Sequence, residues 1–257
     1  MSDWTRQTIG GIECFILPAA PGLLVAMLTR NDGASPPPWD SLNLSYHVGD
    51  DPARVNENRA RVCAALGLRS LVTVRQVHGA GIHEPGLEPG TPDAVEADAL
   101  VTTRPGVGLG IKVADCLPVF AWDTGLSRVG IAHCGWKGTV AGLARLLAEE
   151  VARRAGTTAG RLRCALGPCI CPACYPVGAE VIERVRQAFP GQEDLLVGLD
   201  GGRVAFDIRA ANRRLLAGAG IEEAGSLDRC SFEQPADFYS ARRDPVTGRN
   251  LAVIALR

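Results

Sequence analysis

Residues 107–134 read VGLGIKVADCLPVFAWDTGLSRVGIAHC, and this stretch decides the fold class. Its three apolar segments, 107–113, 117–122 and 128–133, have the length and the β-branched content of buried strands. The short polar stretch Asp123-Thr124-Gly125 separates the last two and is typical of a hairpin turn. The stretch therefore predicts several buried strands, including an antiparallel pair.

The rest of the chain supplies further strands and helices in a distributed order. The same strand pattern recurs at 23–29, 71–77, 162–166 and 251–256. Helices are predicted from their end signals at 51–66 before Gly67, 140–155 before Gly156, 177–189 before Pro190, and 207–217 behind Asp207. Because the two kinds of element are not segregated, we expect a layered mixed α/β fold.

Composition excludes several classes of partner. The net charge is −1 and the charged residues are scattered, so neither nucleic acid nor an anionic membrane is an expected partner. Residues 1–11 are polar and no stretch approaches the roughly 20 apolar residues of a membrane helix. We therefore expect a cytoplasmic protein, and Gly/Pro-rich residues 81–92 read as a surface loop.

Nine cysteines in a reducing compartment argue against a disulfide framework. An odd number favours buried thiols, metal ligands or a nucleophile. The nine are Cys14, Cys63, Cys116, Cys134, Cys164, Cys169, Cys171, Cys174 and Cys230.

Histidine occurs four times, and two of the four lie at strand ends. His78 follows the predicted strand 71–77, on the same face as Gln76, with Gly79 ending the strand. A hairpin centred on Thr124 would place Cys116 nearly opposite His133. Their Cβ atoms would then be roughly 5 Å apart, although a shift of one residue would turn one side chain away.

Two imidazoles and one thiolate form a ligand set that suits zinc. With His78, Cys116 and His133 as ligands, the fourth tetrahedral position stays available for water or substrate, as in catalytic zinc sites. Two alternatives remain open on this pattern alone. The residues could be ordinary core side chains, or a Cys–His nucleophile pair without a metal.

An ordered set of short motifs over most of the chain resembles the laccase-domain family, also called the multicopper polyphenol oxidase or purine nucleoside phosphorylase family. The set comprises Ser41-Leu42-Asn43-Leu44-Ser45, His47-Val48-Gly49-Asp50-Asp51, Asn58-Arg59, Gln76-Val77-His78-Gly79, Ala97-Asp98-Ala99-Leu100-Val101, Ala114-Asp115-Cys116-Leu117-Pro118, His133-Cys134-Gly135-Trp136-Lys137-Gly138, Gly167-Pro168, Cys174-Tyr175, Phe206-Asp207, and Tyr239-Ser240 through Arg242-Arg243-Asp244 to Gly248-Arg249.

The resemblance implies a single domain over residues 1–257 with a four-layer α/β/β/α fold. It implies a zinc site at His78, Cys116 and His133, which would also be the catalytic residues. The implied activity is phosphorolysis of adenosine, inosine, guanosine and methylthioadenosine, with some deamination of adenosine. The partners would be a purine nucleoside and phosphate, and the protein a monomer or homodimer.

The resemblance also bears on substrate contacts and on the identity of the metal. Asn43 and Arg59 match polar pocket positions of the family. Lys137 and Arg59 are candidates for phosphate contact, with a solvated surface charge as the alternative for each. Copper is the second choice of metal, because four histidines cannot supply the paired histidines of a multi-copper centre. Asp115 is expected to orient a ligand or to be a turn residue, and Trp136 to be a core residue.

Departures from the family pattern leave further alternatives. The Gly-Pro motif continues as Cys169-Ile170-Cys171, and Pro176 stands where a Glu is frequent. Cys169, Cys171 and Cys174 could be small thiols in a tight turn, or ligands of a structural zinc or iron–sulfur site with a remote fourth ligand such as Cys164. An amide hydrolase acting on cell-wall precursors and a non-enzymatic binding module are the other functional alternatives.

Overall fold

The computed structural model describes residues 3–86 and 91–257. Its strands, in chain order, are β1 Thr5–Ile9, β2 Ile12–Ile16, β3 Leu23–Leu28, β4 Ser70–Thr73, β5 Ile82–His83, β6 Ala99–Thr102, β7 Val107–Val113, β8 Leu117–Asp123, β9 Val129–Cys134, β10 Leu162–Leu166, β11 Leu196–Gly198, β12 Val204–Phe206, β13 Glu222–Ser226 and β14 Asn250–Leu256. Its α-helices are α1 Pro52–Leu66, α2 Trp136–Val140, α3 Leu143–Ala155, α4 Ala179–Ala188 and α5 Ile208–Gly218.

The strands form two large mixed sheets and a small ribbon of β11 and β12. The first sheet has the order β1-β2-β3-β14-β7-β4, antiparallel except where β4 joins β7. The second has the order β13-β10-β8-β9-β6-β5, with parallel pairs only at its two edges. Strands β7, β8, β9 and β14 are buried along their whole length, which agrees with their continuous apolar runs.

Four layers result from the way these sheets pack. The two sheets face each other across a core that includes Met27, Ile111, Phe120 and Ile254. Helix α1 covers the outer face of the first sheet, while α3, α4 and α5 cover the outer face of the second. The expected α/β/β/α fold is therefore confirmed, and its extension over residues 1–257 as one domain stays a prediction. Within residues 3–86 and 91–257, no helix has the length and apolar character needed to cross a bilayer.

The central hairpin forms, but its predicted register is wrong. Pro118, not Cys116, lies opposite His133, and Leu117 lies opposite Cys134. The loop between β8 and β9 is longer than the predicted three-residue turn. The Asp123 carboxylate stabilises it by accepting hydrogen bonds from the backbone N–H groups of Gly125 and Arg128. Cys116 thus stands just outside the ladder, on the segment that leads into β8.

Helix ends follow the predicted signals in two cases and depart from them in two. Asp51 caps α1 through the N–H of Ala53, and Asp207 caps α5 through the N–H of Ala210. The predicted helix 140–155 is wrong at its start, because Gly142 adopts φ 75° and separates α2 from α3. The predicted helix 177–189 is confined to Ala179–Ala188.

The connection from β4 to β5 also differs from the prediction. Strand β4 ends at Thr73, so the predicted strand 71–77 is wrong beyond that point, and His78 lies in a bend with φ 60°. The predicted loop 81–92 contains β5, in which Ile82 pairs with Ala99. Residues 87–90 of that predicted loop lie outside the described residues.

Candidate metal centre

Three predicted ligands meet although they come from three separate segments. His78 comes from the bend after β4, Cys116 from the turn between β7 and β8, and His133 from β9. One ring nitrogen of each histidine and Cys116 Sγ lie within 4.8 Å of one another. The two imidazole rings meet edge to face, with their centroids 4.9 Å apart. This spacing allows the three side chains to hold one metal ion.

A buried carboxylate orients His133. Oδ1 of Asp98 lies 2.9 Å from Nδ1 of His133, and Asp98 has no exposed surface. Burial alone would raise the pKa of Asp98, but hydrogen bonds from His133 and from the backbone N–H of Gly79 lower it. Because an ionised carboxylate only accepts hydrogen bonds, Nδ1 of His133 carries a proton, and Nε2 is the ring nitrogen that could bind a metal.

The same carboxylate shapes the bend that carries His78. The backbone N–H groups of Val77, His78 and Gly79 donate to Asp98 over 3.2, 3.0 and 2.6 Å. These bonds hold His78 at its positive φ, a region that side chains other than glycine seldom adopt. Asp98 thus positions one histidine through its ring and the other through its backbone. The sequence analysis assigned Asp98 no role, although it directly precedes the buried strand β6.

Cys116 is placed and activated by its neighbours. Burial raises the pKa of its thiol, but His133 and His78 outweigh burial and bring that pKa to about 6. Burial likewise lowers the pKa of His133, and the Cys116 thiolate and Asp98 raise it above its ordinary value. The Cys116 thiolate and the Asp98 carboxylate therefore favour a positive charge at the His133 ring. Cys116 is a thiolate at neutral pH, the form that binds metals.

Glycine at position 135 makes room for this cluster. A Cβ at Gly135 would lie 2.9 Å from Cys116 Sγ and 3.4 Å from Cδ2 of His78. The adjacent Cys134 points to the other face of β9, where it joins the core against the helices and burial raises the pKa of its thiol. Strand alternation therefore separates a ligand position from a core position within two residues.

Asp115 is a turn residue, the second of its two predicted roles. Its φ is 97°, and its carboxylate accepts hydrogen bonds from Oγ of Ser231 at 2.7 Å and from the backbone N–H of Arg242 at 2.8 Å. Its carbonyl oxygen accepts a hydrogen bond from the N–H of Ile170. These bonds fix the backbone immediately before Cys116.

A cavity of about 550 Å³ opens beside the three ligands. Four cationic side chains and two aromatic ones lie along its wall: Arg75, Lys112, Arg242, Arg249, Trp136 and Tyr175. The guanidinium of Arg242 lies over the ring of Tyr175, 5.0 Å from its centroid. Trp136, expected in the core, is half-buried and contributes to both the core and the cavity wall. The site thus combines aromatic surface with positive charge.

The predicted substrate residues Asn43, Arg59 and Lys137 do not line this cavity. Asn43 is fully buried, and its Oδ1 accepts hydrogen bonds from the backbone N–H groups of Ser45 and Arg249, two residues of the cavity wall. Arg59 is buried and donates to Thr73 and Leu71. The ammonium group of Lys137, an exposed residue, lies 5.6 Å from the Trp136 ring centroid.

Residues 24–257 match the family model for multi-copper polyphenol oxidoreductase laccase. The chain belongs to this family. A purine nucleoside phosphorylase of Deinococcus radiodurans is 42% identical over 242 residues, which cover 92% of this chain and 91% of the relative. Adenosine deaminase RL5, from an unknown prokaryotic organism, is 36% identical over 217 residues, covering 80% and 82% of the two chains.

A solved structure agrees with the fold assignment. The crystal structure of YlmD from Geobacillus stearothermophilus superposes with a TM-score of 0.91 at 32% sequence identity, covering 100% of both chains. The family resemblance and the mixed α/β fold predicted from the sequence are thereby confirmed.

Proposed function

We propose that this protein is a zinc-dependent purine nucleoside phosphorylase acting on adenosine, inosine, guanosine and methylthioadenosine. The observation that carries the proposal is the cavity, because it joins a three-residue metal site to cationic and aromatic side chains. The relative of 42% identity, named a purine nucleoside phosphorylase, supports it. We further propose that the protein acts in the cytoplasm as a monomer or homodimer, with no nucleic acid or membrane partner.

Zinc fits the donor set better than copper does. Two imidazole nitrogens and a thiolate are typical zinc ligands, and three of them leave one position open. The chain has four histidines, and His83 lines a different cavity. The remaining histidines are too few for the histidine pairs of a multi-copper centre. When bound, zinc would supply a Lewis acid that polarises a substrate oxygen.

Different side chains of the cavity would bind the purine ring and the phosphate. We assign the purine ring to the faces of Trp136 and Tyr175, since aromatic surfaces stack well on bases. Arg242 and Arg249 would bind inorganic phosphate, because guanidinium groups are frequent partners of its oxygens. A phosphate oxygen then attacks the anomeric carbon of the sugar while the carbon–nitrogen bond to the base breaks, and the proton that the hydrogen phosphate loses ends on the departing base.

Asn43 and Arg59 act through other residues in this proposal. Asn43 holds the backbone of Ser45 and Arg249, and both of those residues face the cavity. Arg59 donates hydrogen bonds at β4, close to the start of the segment that carries His78. The ammonium group of Lys137 lies beside Trp136, and Lys137 is not among the described residues that line the cavity, so we propose no direct phosphate contact for it.

The test is an assay with inosine or adenosine in the presence and absence of phosphate. Phosphate-dependent release of the free base supports the phosphorylase. Formation of inosine from adenosine without phosphate supports the deaminase side activity, which the similarity to adenosine deaminase RL5 favours. His78→Asn is expected to abolish base release, whereas His83→Asn, outside the cavity, should retain it. Cleavage of a muramyl-serine amide without release of any base would replace this proposal with the amide hydrolase.

A further inference from the structure

A second group of potential ligands lies apart from the His78, Cys116 and His133 site. It consists of two short segments with the same spacing, Cys171-Pro172-Ala173-Cys174 and Cys230-Ser231-Phe232-Glu233. One donor atom from each of Cys171, Cys174, Cys230 and Glu233 lies within 4.8 Å of the other three. The sequence analysis grouped Cys169 with Cys171 and Cys174 and considered Cys164 as the fourth ligand, whereas Cys230 and Glu233 take the places of Cys169 and Cys164 in this group. Cys164 instead lies on β10, and its thiol donates to the carbonyl of Glu222.

Backbone contacts bring the two segments together. Cys169 and Cys230 form a parallel bridge, in which the N–H of Ser231 donates to the carbonyl of Cys169 at 3.2 Å. Residues Pro172–Cys174 form a 3₁₀ turn that returns Cys174 towards Cys171, whose carbonyl accepts a hydrogen bond from the Cys174 N–H at 3.0 Å. The four side chains are thus placed by the main chain and not only by their own contacts.

Two contacts indicate that the sulfur atoms are arranged as ligands. The backbone N–H of Cys171 donates to Sγ of Cys230 at 3.3 Å, which holds this sulfur against the segment that carries Cys171 and Cys174. Cys174 Sγ lies 3.6 Å from a carboxylate oxygen of Glu233, so the acidic side chain turns inward despite its exposed position. Three sulfurs and a carboxylate brought this close would repel one another when ionised, and a cation at the centre would remove that repulsion.

We propose that Cys171, Cys174, Cys230 and Glu233 bind a structural zinc ion. Three thiolates and one carboxylate complete a tetrahedral shell, and ligand pairs separated by two residues are typical of structural zinc sites. The two sites differ in the number of protein ligands. Three ligands leave one coordination position open at the His78, Cys116 and His133 site, whereas four ligands fill the shell here. A disulfide is the competing state, but it would use two of the sulfurs and leave the third and the carboxylate without a role.

At this position the zinc ion would stabilise the structure around the cavity, whatever reaction the cavity supports. Cys174 directly precedes Tyr175, which forms part of the cavity wall. Ser231 lies inside the second segment and donates to Asp115, which precedes Cys116. An ion that joins the two segments therefore fixes one wall of the cavity and the turn that presents Cys116.

Metal analysis of protein purified under reducing conditions tests the proposal. We expect about two zinc ions per chain in the wild type and about one in the double variant Cys171→Ser/Cys174→Ser. Cys63→Ser, a cysteine substitution on α1 outside both ligand groups, should leave the zinc content unchanged. An equal zinc content in the wild type and the double variant would overturn the proposal. Cys116→Ala reports on the first site separately, so failure of one site is distinguishable from failure of the other.

A second measurement covers the case in which the double variant does not fold. Cys116→Ala retains every thiol of the second group, and loading it with Co²⁺ should produce thiolate-to-cobalt charge-transfer absorption. Absence of that absorption in folded, reduced protein would contradict the assignment. Mass spectrometry of unreduced wild type gives an independent check, because loss of two hydrogens and a cross-link within these segments would show the disulfide in place of zinc.

Discussion

Asp98→Asn is the sharpest perturbation of the His78, Cys116 and His133 site, because it changes almost no volume. Oδ1 of Asp98 accepts from His133 and from the N–H of His78, and Oδ2 accepts from the N–H groups of Val77 and Gly79. A side-chain amide has only one oxygen. Whichever way the amide is turned, its NH₂ group therefore faces donors that the carboxylate satisfied.

Each orientation of the amide damages a different ligand. With its oxygen towards His133, the amide leaves the N–H groups of Val77 and Gly79 without an acceptor and loosens the bend that carries His78. With its NH₂ group towards His133, the imidazole must accept at Nδ1 and place its proton on Nε2, which then cannot bind metal. Loss of such an orienting partner typically lowers metal affinity 10- to 100-fold, which corresponds to about 1.4 to 2.8 kcal/mol.

The assay is a zinc titration in competition with a chelator of known affinity, at constant pH. Asp200→Asn, an exposed substitution of the same type, serves as the control and should leave both zinc affinities unchanged. Asp98→Asn should lower only the zinc affinity of the His78, Cys116 and His133 site, which is the affinity that Cys116→Ala abolishes. A folded Asp98→Asn protein with wild-type affinity at that site would refute the orienting role assigned to Asp98.

Three further predictions follow from contacts at the same site. Gly135→Ala should lower zinc affinity about tenfold or more, since its Cβ would lie 2.9 Å from Cys116 Sγ. A Cβ at Gly160 would meet no atom of the described residues within 4 Å, so Gly160→Ala should be neutral in the same titration. Arg242→Met should raise the KM for phosphate about tenfold or more, because a hydrogen bond to a charged group is lost, and should leave the KM for the nucleoside nearly unchanged. Equal changes in both constants, measured by steady-state kinetics, would argue against a phosphate contact. Alkylation of the metal-free protein should be fastest at Cys116 and should slow as the pH falls below about 6, because protonation removes the thiolate; peptide mapping that finds Cys134 modified first would contradict this.

Sequence patterns predicted the fold best where strands are covered on both faces. Val107–Val113 and Asn250–Leu256 are buried at every position, and their apolar runs are visible without a structure. The edge strands Thr5–Ile9 and Glu222–Ser226 were not predicted, because the first is polar and mostly exposed and the second consists of acidic and small residues, so neither contains an apolar run. Pairing with a neighbour, and not composition, makes these segments strands.

The three candidate metal ligands were predicted to lie together, as the structure places them, but the residues that position them were not predicted. Asp98 acts on a histidine 35 positions away, and that distance is bridged only in the folded sheet. Arg242 and Arg249 reach the cavity from the segment before the last strand, where charged residues have no pattern that distinguishes them from solvent-exposed ones. Asn43 was selected by resemblance and lies instead beneath Ser45, where a buried amide fixes the backbone.

Strand periodicity located the candidate ligands only approximately, because two of the three lie in connections where the chain passes from one sheet to the other. β4 belongs to the first sheet and β5 to the second, and the segment between them carries His78. β7 and β8 are related in the same way, and Cys116 lies in their connection. Alternation between two faces has no meaning where the chain leaves one sheet for another. His133 alone lies within a strand, and its side-chain direction follows the strand rule. The distance between the ligands is therefore set by how the two sheets pack, so substitutions in the core between the sheets should alter metal affinity without touching any ligand.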